Sequence, residues 1–187
     1  MAAGALHYGP LIGELLREER LQPLGPGSPN QAAKERLAKL DVSSAFVAAG
    51  VRDRDMASCC CAALWLYHDF LDESHKLSQE IATPTGSYWH GLMHRREPDY
   101  GNSKYWFRRV GEHPVFEPLH QAAAELAGAE PQAAFLRTQK AWDPFAFIDL
   151  CEEAAKRRGS SEAVCRKIQQ REWQLLFDYC YRQALGQ

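Results

Sequence analysis

The chain has 187 residues, of which 45% are hydrophobic and 25% charged, with a formal net charge of -2. That length is enough for one core, and that composition excludes a disordered chain. The slightly acidic balance argues against nucleic acid as a partner, and no stretch of about eighteen apolar residues is present to span a membrane.

The N-terminal block is broken by His7, Pro10 and Glu14 and lacks a signal-peptide pattern. Six cysteines include the consecutive Cys59, Cys60 and Cys61, an arrangement unlike the spaced framework of a disulfide scaffold. The expectation is a reduced, cytoplasmic protein.

After Pro10, Leu11, Ile12, Leu15 and Leu16 form an apolar stripe that predicts a helix reaching Leu21. Pro23 to Pro29 is a turn-rich break. Ser28, Pro29 and Gln31 then read as a start signal for a helix to Leu40. Asp53 or Asp55 caps the next helix, whose apolar residues recur at helical spacing from Met56 to Leu77 and predict one element to about Ile81. Thr83 and Pro84 start another that Pro98 ends. Asp99 to Ser103 reads as a turn, with Ser103 capping a short helix, Lys104 to Val110, that Gly111 stops. Further helices are predicted from Pro114 to Leu126, Pro131 to Lys140, Pro144 to Arg158 and Ser160 to Leu185. With no alternating strand and no repeat, the fold class is all-α: one domain, residues 1–187, built as an irregular bundle of seven to nine helices.

The chemistry concentrates between Gly86 and Pro118, the expected site-forming segment. His90 and His94 are four apart on a predicted helix, so both imidazoles lie on one face, with Glu97 three residues further. HxxxH is the spacing by which one helix gives two ligands to zinc or iron. Gly91, Leu92 and Met93 intervene, so the metalloprotease HExxH pattern is absent. On the preceding helix His68, Asp72 and His75 also share one face. A short connector makes the two helices antiparallel neighbours, which would converge these residues on His90, His94 and Glu97.

Three uses of this set stay open. The first is a divalent metal (zinc, iron or manganese) on His90, His94 and His75. The second is a metal-free acid–base site using His90, His94, Glu97, His68 and Asp72. The third is structural hydrogen bonding of the imidazoles to nearby acids.

Arg95, Arg96, Lys104, Arg108 and Arg109 interleave with Tyr88, Trp89, Tyr100, Tyr105, Trp106 and Phe107. Guanidinium forks suit carboxylate or phosphate, and aromatic faces stack on rings. The candidate ligand-binding residues are therefore Arg95, Arg96, Tyr100, Asn102, Lys104, Arg108 and Trp89. The bland alternative is that the arginines make structural ion pairs and that Trp106 and Phe107 are core. Nearby acids count against single-stranded nucleic acid. No glycine-rich phosphate loop or GxSxG elbow is present.

The run GSYWHGLMHRREPDYGNSKYWFRRVGEHPVF, with LYHDFLDESHKLSQ upstream, resembles a family of small helical proteins of bacteria and some eukaryotes. The resemblance covers about His68 to Phe116. It implies that both polar segments belong to one module, and it brings no activity and no site residue with it. The expected function is an enzyme processing a small polar or anionic molecule in a His/Glu/Arg-lined cleft. The alternative is a non-catalytic small-molecule or protein-interaction module that uses the same cleft.

Overall fold

The computed structural model of the chain describes residues 8–46 and 50–187. The expectations at Leu6 and His7 lie outside the described residues. Those described form an all-α, irregular bundle: α1 Pro10–Leu15, α2 Gln31–Ala38, α3 Val42–Ala45, α4 Arg54–Tyr67, α5 Leu71–Ser78, α6 Pro84–Arg96, α7 Tyr100–Val110, α8 Phe116–Ala127, a 3-10 turn Pro131–Arg137, α9 Pro144–Arg157 and α10 Ser160–Leu185. No strand occurs among the described residues, and none of their helices is long and apolar enough to cross a membrane.

α4 and α10 cross in the interior. Every residue of α4 from Cys59 to Tyr67 is buried, which explains why its sequence is apolar on all sides. α10 lays Cys165, Ile168, Leu176, Phe177 and Cys180 into the same core. Trp173 on α10 donates its Nε1–H to the Ala63 carbonyl at 3.1 Å, which satisfies the one polar atom that burying an indole brings with it.

The structure has more helices than the sequence predicts, chiefly because the long helix expected from Asp55 to Ile81 is two. α4 stops at Tyr67, and α5 begins at Leu71. Between them Asp69 takes a left-handed backbone, φ 63°. For a residue with a Cβ this costs about 1–2 kcal/mol, and aspartate tolerates it better than most. Two arginines offset the cost. Arg20 reaches one carboxylate oxygen of Asp69 at 2.9 Å, and Arg96 reaches the other at 2.5 Å. The apolar repeat runs through the break and so hides it.

Two further expectations change. The stretch Asp99 to Ser103 is no separate turn: α7 starts at Tyr100, and Asp99 caps it by accepting the Asn102 N–H at 3.1 Å. Ser103 is therefore one turn inside the helix, and its hydroxyl donates instead to the Gly91 carbonyl at 2.8 Å. The segment after Pro131 winds as a 3-10 helix and ends at Arg137.

α5, α6 and α7 stack in sequence as two consecutive helical hairpins, and two glycines set their spacing. A Cβ on Gly86 would fall on the Ile81 carbonyl oxygen, so this glycine lets α6 fold back tightly against the end of the α5 connector. A Cβ on Gly91 would come within 2.8 Å of the Phe107 ring, so the missing side chain lets α7 lie against α6.

Candidate metal centre

α6 carries its polar residues on different sides. Thr83 caps its first turn by accepting the Gly86 N–H at 3.0 Å, and Pro84 presets the backbone there. The helix then runs unbroken through His90 and His94, so the four-residue spacing stacks the two rings at 4.8 Å with 15° between their planes. His75 arrives from α5 and meets both edge-on, at 4.7 Å from His90 and 5.1 Å from His94. One ring nitrogen from each of the three lies within 4.8 Å of the others, which makes a group able to hold a metal ion. His90 and His94 are buried, and His75 is half-buried.

His90 is the centre of the group. Trp106 of α7 covers it as a parallel stack, ring centres 3.9 Å apart and planes at 16°. Both of its ring nitrogens are buried, and neither has a hydrogen-bond partner. An unmade hydrogen bond at a buried polar atom costs about 1–3 kcal/mol; Arg95 and Gln139 also carry two such atoms each, and what sets His90 apart is that two further imidazoles lie within reach. Burial, reinforced by His94 and His75, holds the His90 pKa down to about 3. Burial also lowers that of His94, against the opposing pull of Glu97. At neutral pH both rings are therefore uncharged, the form that binds metals.

Glu97 is the C-cap of α6. Its Oε2 lies 3.2 Å from His94 Nδ1, an ion-pair distance but not aligned as a hydrogen bond. The carboxylate thus faces the ring edge of His94 that carries Nδ1, which leaves Nε2 as the second nitrogen of that ring.

The other expected site residues sit elsewhere. The structure does not bring His68 into the group. It lies at the break after α4, where the helical phase linking it to His75 is lost. A carbonyl can only accept, so His68 Nε2–H donates to Leu15 at 3.0 Å while its Nδ1 accepts from the Asn30 amide at 3.1 Å. Burial lowers its pKa to about 4. Asp72 is exposed on α5 and outside the histidine group.

α6 and α7 pack directly against each other through Gly91 and Phe107. Arg95 and Arg96 turn inward. Arg95 pairs with the fully buried Glu172 at 2.5 Å, and Tyr88 donates to the other oxygen of that carboxylate at 2.9 Å. Burial alone would lower the Arg95 pKa, but the Glu172 carboxylate outweighs it and the net shift is upward. Arg95 Nε and Nη1 and Gln169 Oε1 have no protein partner; their residues line a cavity of about 10 Å³, close to the space one water needs. Arg96 pairs with Asp69 and donates to the Gly25 and Pro26 carbonyls, which pins the Pro23–Pro29 loop onto the bundle.

Trp89 is fully buried, its indole N–H on Cys180 Sγ. Tyr100 is half-buried, Lys104 pairs with Asp149, and Asn102 is exposed beside Asp99. Arg108 is exposed. A surface groove of about 390 Å³ lies between the 3-10 turn and α9, and no member of the histidine group lines it.

Sequence reasoning weighed Trp106 as core and did not single out Glu172. Trp106 stands sixteen residues beyond His90, and only the close α6–α7 approach that Gly91 permits joins them. Glu172 lies on another helix, with no local pattern tying it to Arg95. Comparison of the chain with protein-family models, with curated proteins and with solved structures finds no match.

Proposed function

We propose that the protein is a metal-dependent enzyme that acts on a small polar or anionic molecule at an ion held by His75, His90 and His94. The observation that carries this reading is His90, a buried imidazole with both nitrogens unpartnered and two further imidazoles within reach. Binding an ion would give that ring the partner it lacks. Tetrahedral zinc at about 2.0–2.1 Å from each nitrogen needs nitrogens about 3.3 Å apart. The present separations of up to 4.8 Å require the rings to close inward around the ion. An all-imidazole set favours zinc over manganese, which prefers carboxylate oxygen, and over the carboxylate-containing sites typical of non-haem iron.

Three protein ligands leave a fourth position for water or substrate, the arrangement of catalytic rather than closed structural zinc sites. An ion held there would supply Lewis-acid chemistry and activation of water. His75, His90 and His94 would hold the ion. Glu97 acts as a positioning residue: its carboxylate beside Nδ1 orients His94 so that Nε2 is the ligand atom. Trp106 walls off one side of the centre and excludes water from the His90 ring.

The test is elemental analysis and zinc titration of the purified protein. The expected outcome is one zinc per chain, lost in His90→Ala and His75→Ala while the helical circular dichroism signal is kept. Wild-type protein that binds zinc, cobalt and iron no better than His90→Ala would leave the histidines as packing residues and end the proposal.

A further inference from the structure

The reading above leaves the substrate open, and the residue next to the Trp106 wall narrows it. Arg109 is three residues beyond Trp106 on α7, so both lie on one helix face. Its guanidinium carbon sits over the Trp106 ring at 5.3 Å from the centroid. Trp106 is in turn stacked on His90 at 3.9 Å. Those two steps, laid end to end, cap the distance from the Arg109 guanidinium to the His90 ring centre at about 9.2 Å.

Arg109 also differs from its neighbours in what it is bonded to. Arg95, Arg96 and Lys104 are each held by a carboxylate, Glu172, Asp69 and Asp149 in turn. Arg109 is exposed, and among the described residues no carboxylate lies within ion-pair distance of it. Arg108 is exposed as well, but its two-residue offset from Trp106 turns it to another side of α7. A cation held near the indole by attraction to the ring, with its donor fork unclaimed, is suited to receive an oxyanion.

We propose that Arg109 is the substrate-anchoring residue of the histidine centre and that it binds a phosphoryl or carboxylate group of the substrate. This inference rests on the metal reading of the site. The cap of about 9.2 Å puts Arg109 and the ion within the span of one small molecule, which would pass the edge of the Trp106 ring to place its oxyanion on Arg109 and its reacting group on the ion. Arg95 and Arg96, the more obvious cations in the sequence, have no part in it.

Cobalt(II) replaces zinc in such centres and reports changes at its open position through its visible spectrum. The experiment loads wild-type protein, Arg109→Gln, Arg109→Lys and Arg108→Gln with cobalt, then titrates each with two short alkyl hydroxamates, one ending in a phosphonate and one in a carboxylate, so that the hydroxamate meets the ion and the far oxyanion meets Arg109. The expected result is an anion-dependent spectral change in wild type. Arg109→Gln should weaken the binding by about tenfold or more, and Arg109→Lys by less, since lysine keeps the charge but loses the fork. Arg108→Gln should stay within about twofold of wild type. Tighter binding of the phosphonate probe, lost in Arg109→Gln, assigns a phosphoryl group, and tighter binding of the carboxylate probe assigns a carboxylate. A normal cobalt spectrum in every variant, with anion binding unchanged by Arg109→Gln or absent altogether, overturns this inference and leaves the metal site standing. Failure of wild type to take up cobalt at all overturns both.

Discussion

α6 presents two kinds of buried polar residue, and they are arranged in opposite ways. On one side Arg95 and Arg96 are charged, buried and each held by a carboxylate from a distant part of the chain, Glu172 or Asp69. On the other, His90 and His94 are uncharged and buried, and His90 has no hydrogen-bond partner at all. Each buried arginine has its charge met by a carboxylate, although Arg95 Nε and Nη1 have no protein partner, and the pairs fix how α6 docks on α10 and on the break after α4. His90 meets only other rings, with no carboxylate paired to it among the described residues. The same helix thus supplies a structural anchor and a candidate site, and a carboxylate partner separates Arg95 from His90 better than burial does.

The largest expected effect falls on the anchored side. Glu172→Ala strands the Arg95 charge in the core, and losing one partner of a buried pair costs about 3–5 kcal/mol. Urea unfolding should show that loss, while zinc stoichiometry, measured below the unfolding transition, stays at the wild-type value. A variant that lost zinc as readily as stability would erase the distinction between the two sides.

Glu97→Gln probes the other side. Removing the carboxylate beside His94 should weaken zinc binding by about 10- to 100-fold, as outer carboxylates on metal-bound histidines do, with little change in stability of the metal-free protein. Competition with a chromophoric chelator measures it. Unchanged affinity would show that Glu97 is only a helix cap.

A third test concerns the acid sensitivity of two buried histidines outside the metal group. His68 and His113 are both held by burial at pKa values of about 4, below the ordinary 6.5. The unfolded chain therefore takes up protons in the window from about 6.5 down to 4 that the native chain does not. Stability is full above 6.5 and falls as pH drops through that window, by at most about 1.4 kcal/mol per pH unit for each such histidine. In the metal-free protein, His68→Gln should flatten the dependence of melting temperature on pH; an identical slope would show that His68 does not titrate differently on folding.

Much of this was legible in the sequence. The all-α class followed from apolar periodicity, and His75, His90 and His94 from helical spacing plus a short connector. What misled was continuity. The apolar repeat from Met56 to Leu77 carries straight through a left-handed aspartate, so His68 was expected on the His75 face and is not. The arginines were expected in a cleft because their density near aromatics suits ligands, but their partners Glu172 and Asp69 are far away in the chain, where spacing has nothing to say. Gly91, noticed only as a residue breaking the HExxH pattern, is where α7 reaches α6 and brings Trp106 onto His90.

The stacking of α5, α6 and α7 as consecutive hairpins has a kinetic consequence. His75, His90, His94, Glu97, Trp106 and Arg109 all come from one uninterrupted piece of chain, Leu71 to Val110. Contacts of short sequence separation close at low entropic cost and form early. The Arg95–Glu172 pair must wait for α10, the last helix of the chain. An ion could thus be captured while the C-terminal helix is still undocked, so that the site templates the nascent bundle rather than being filled after it.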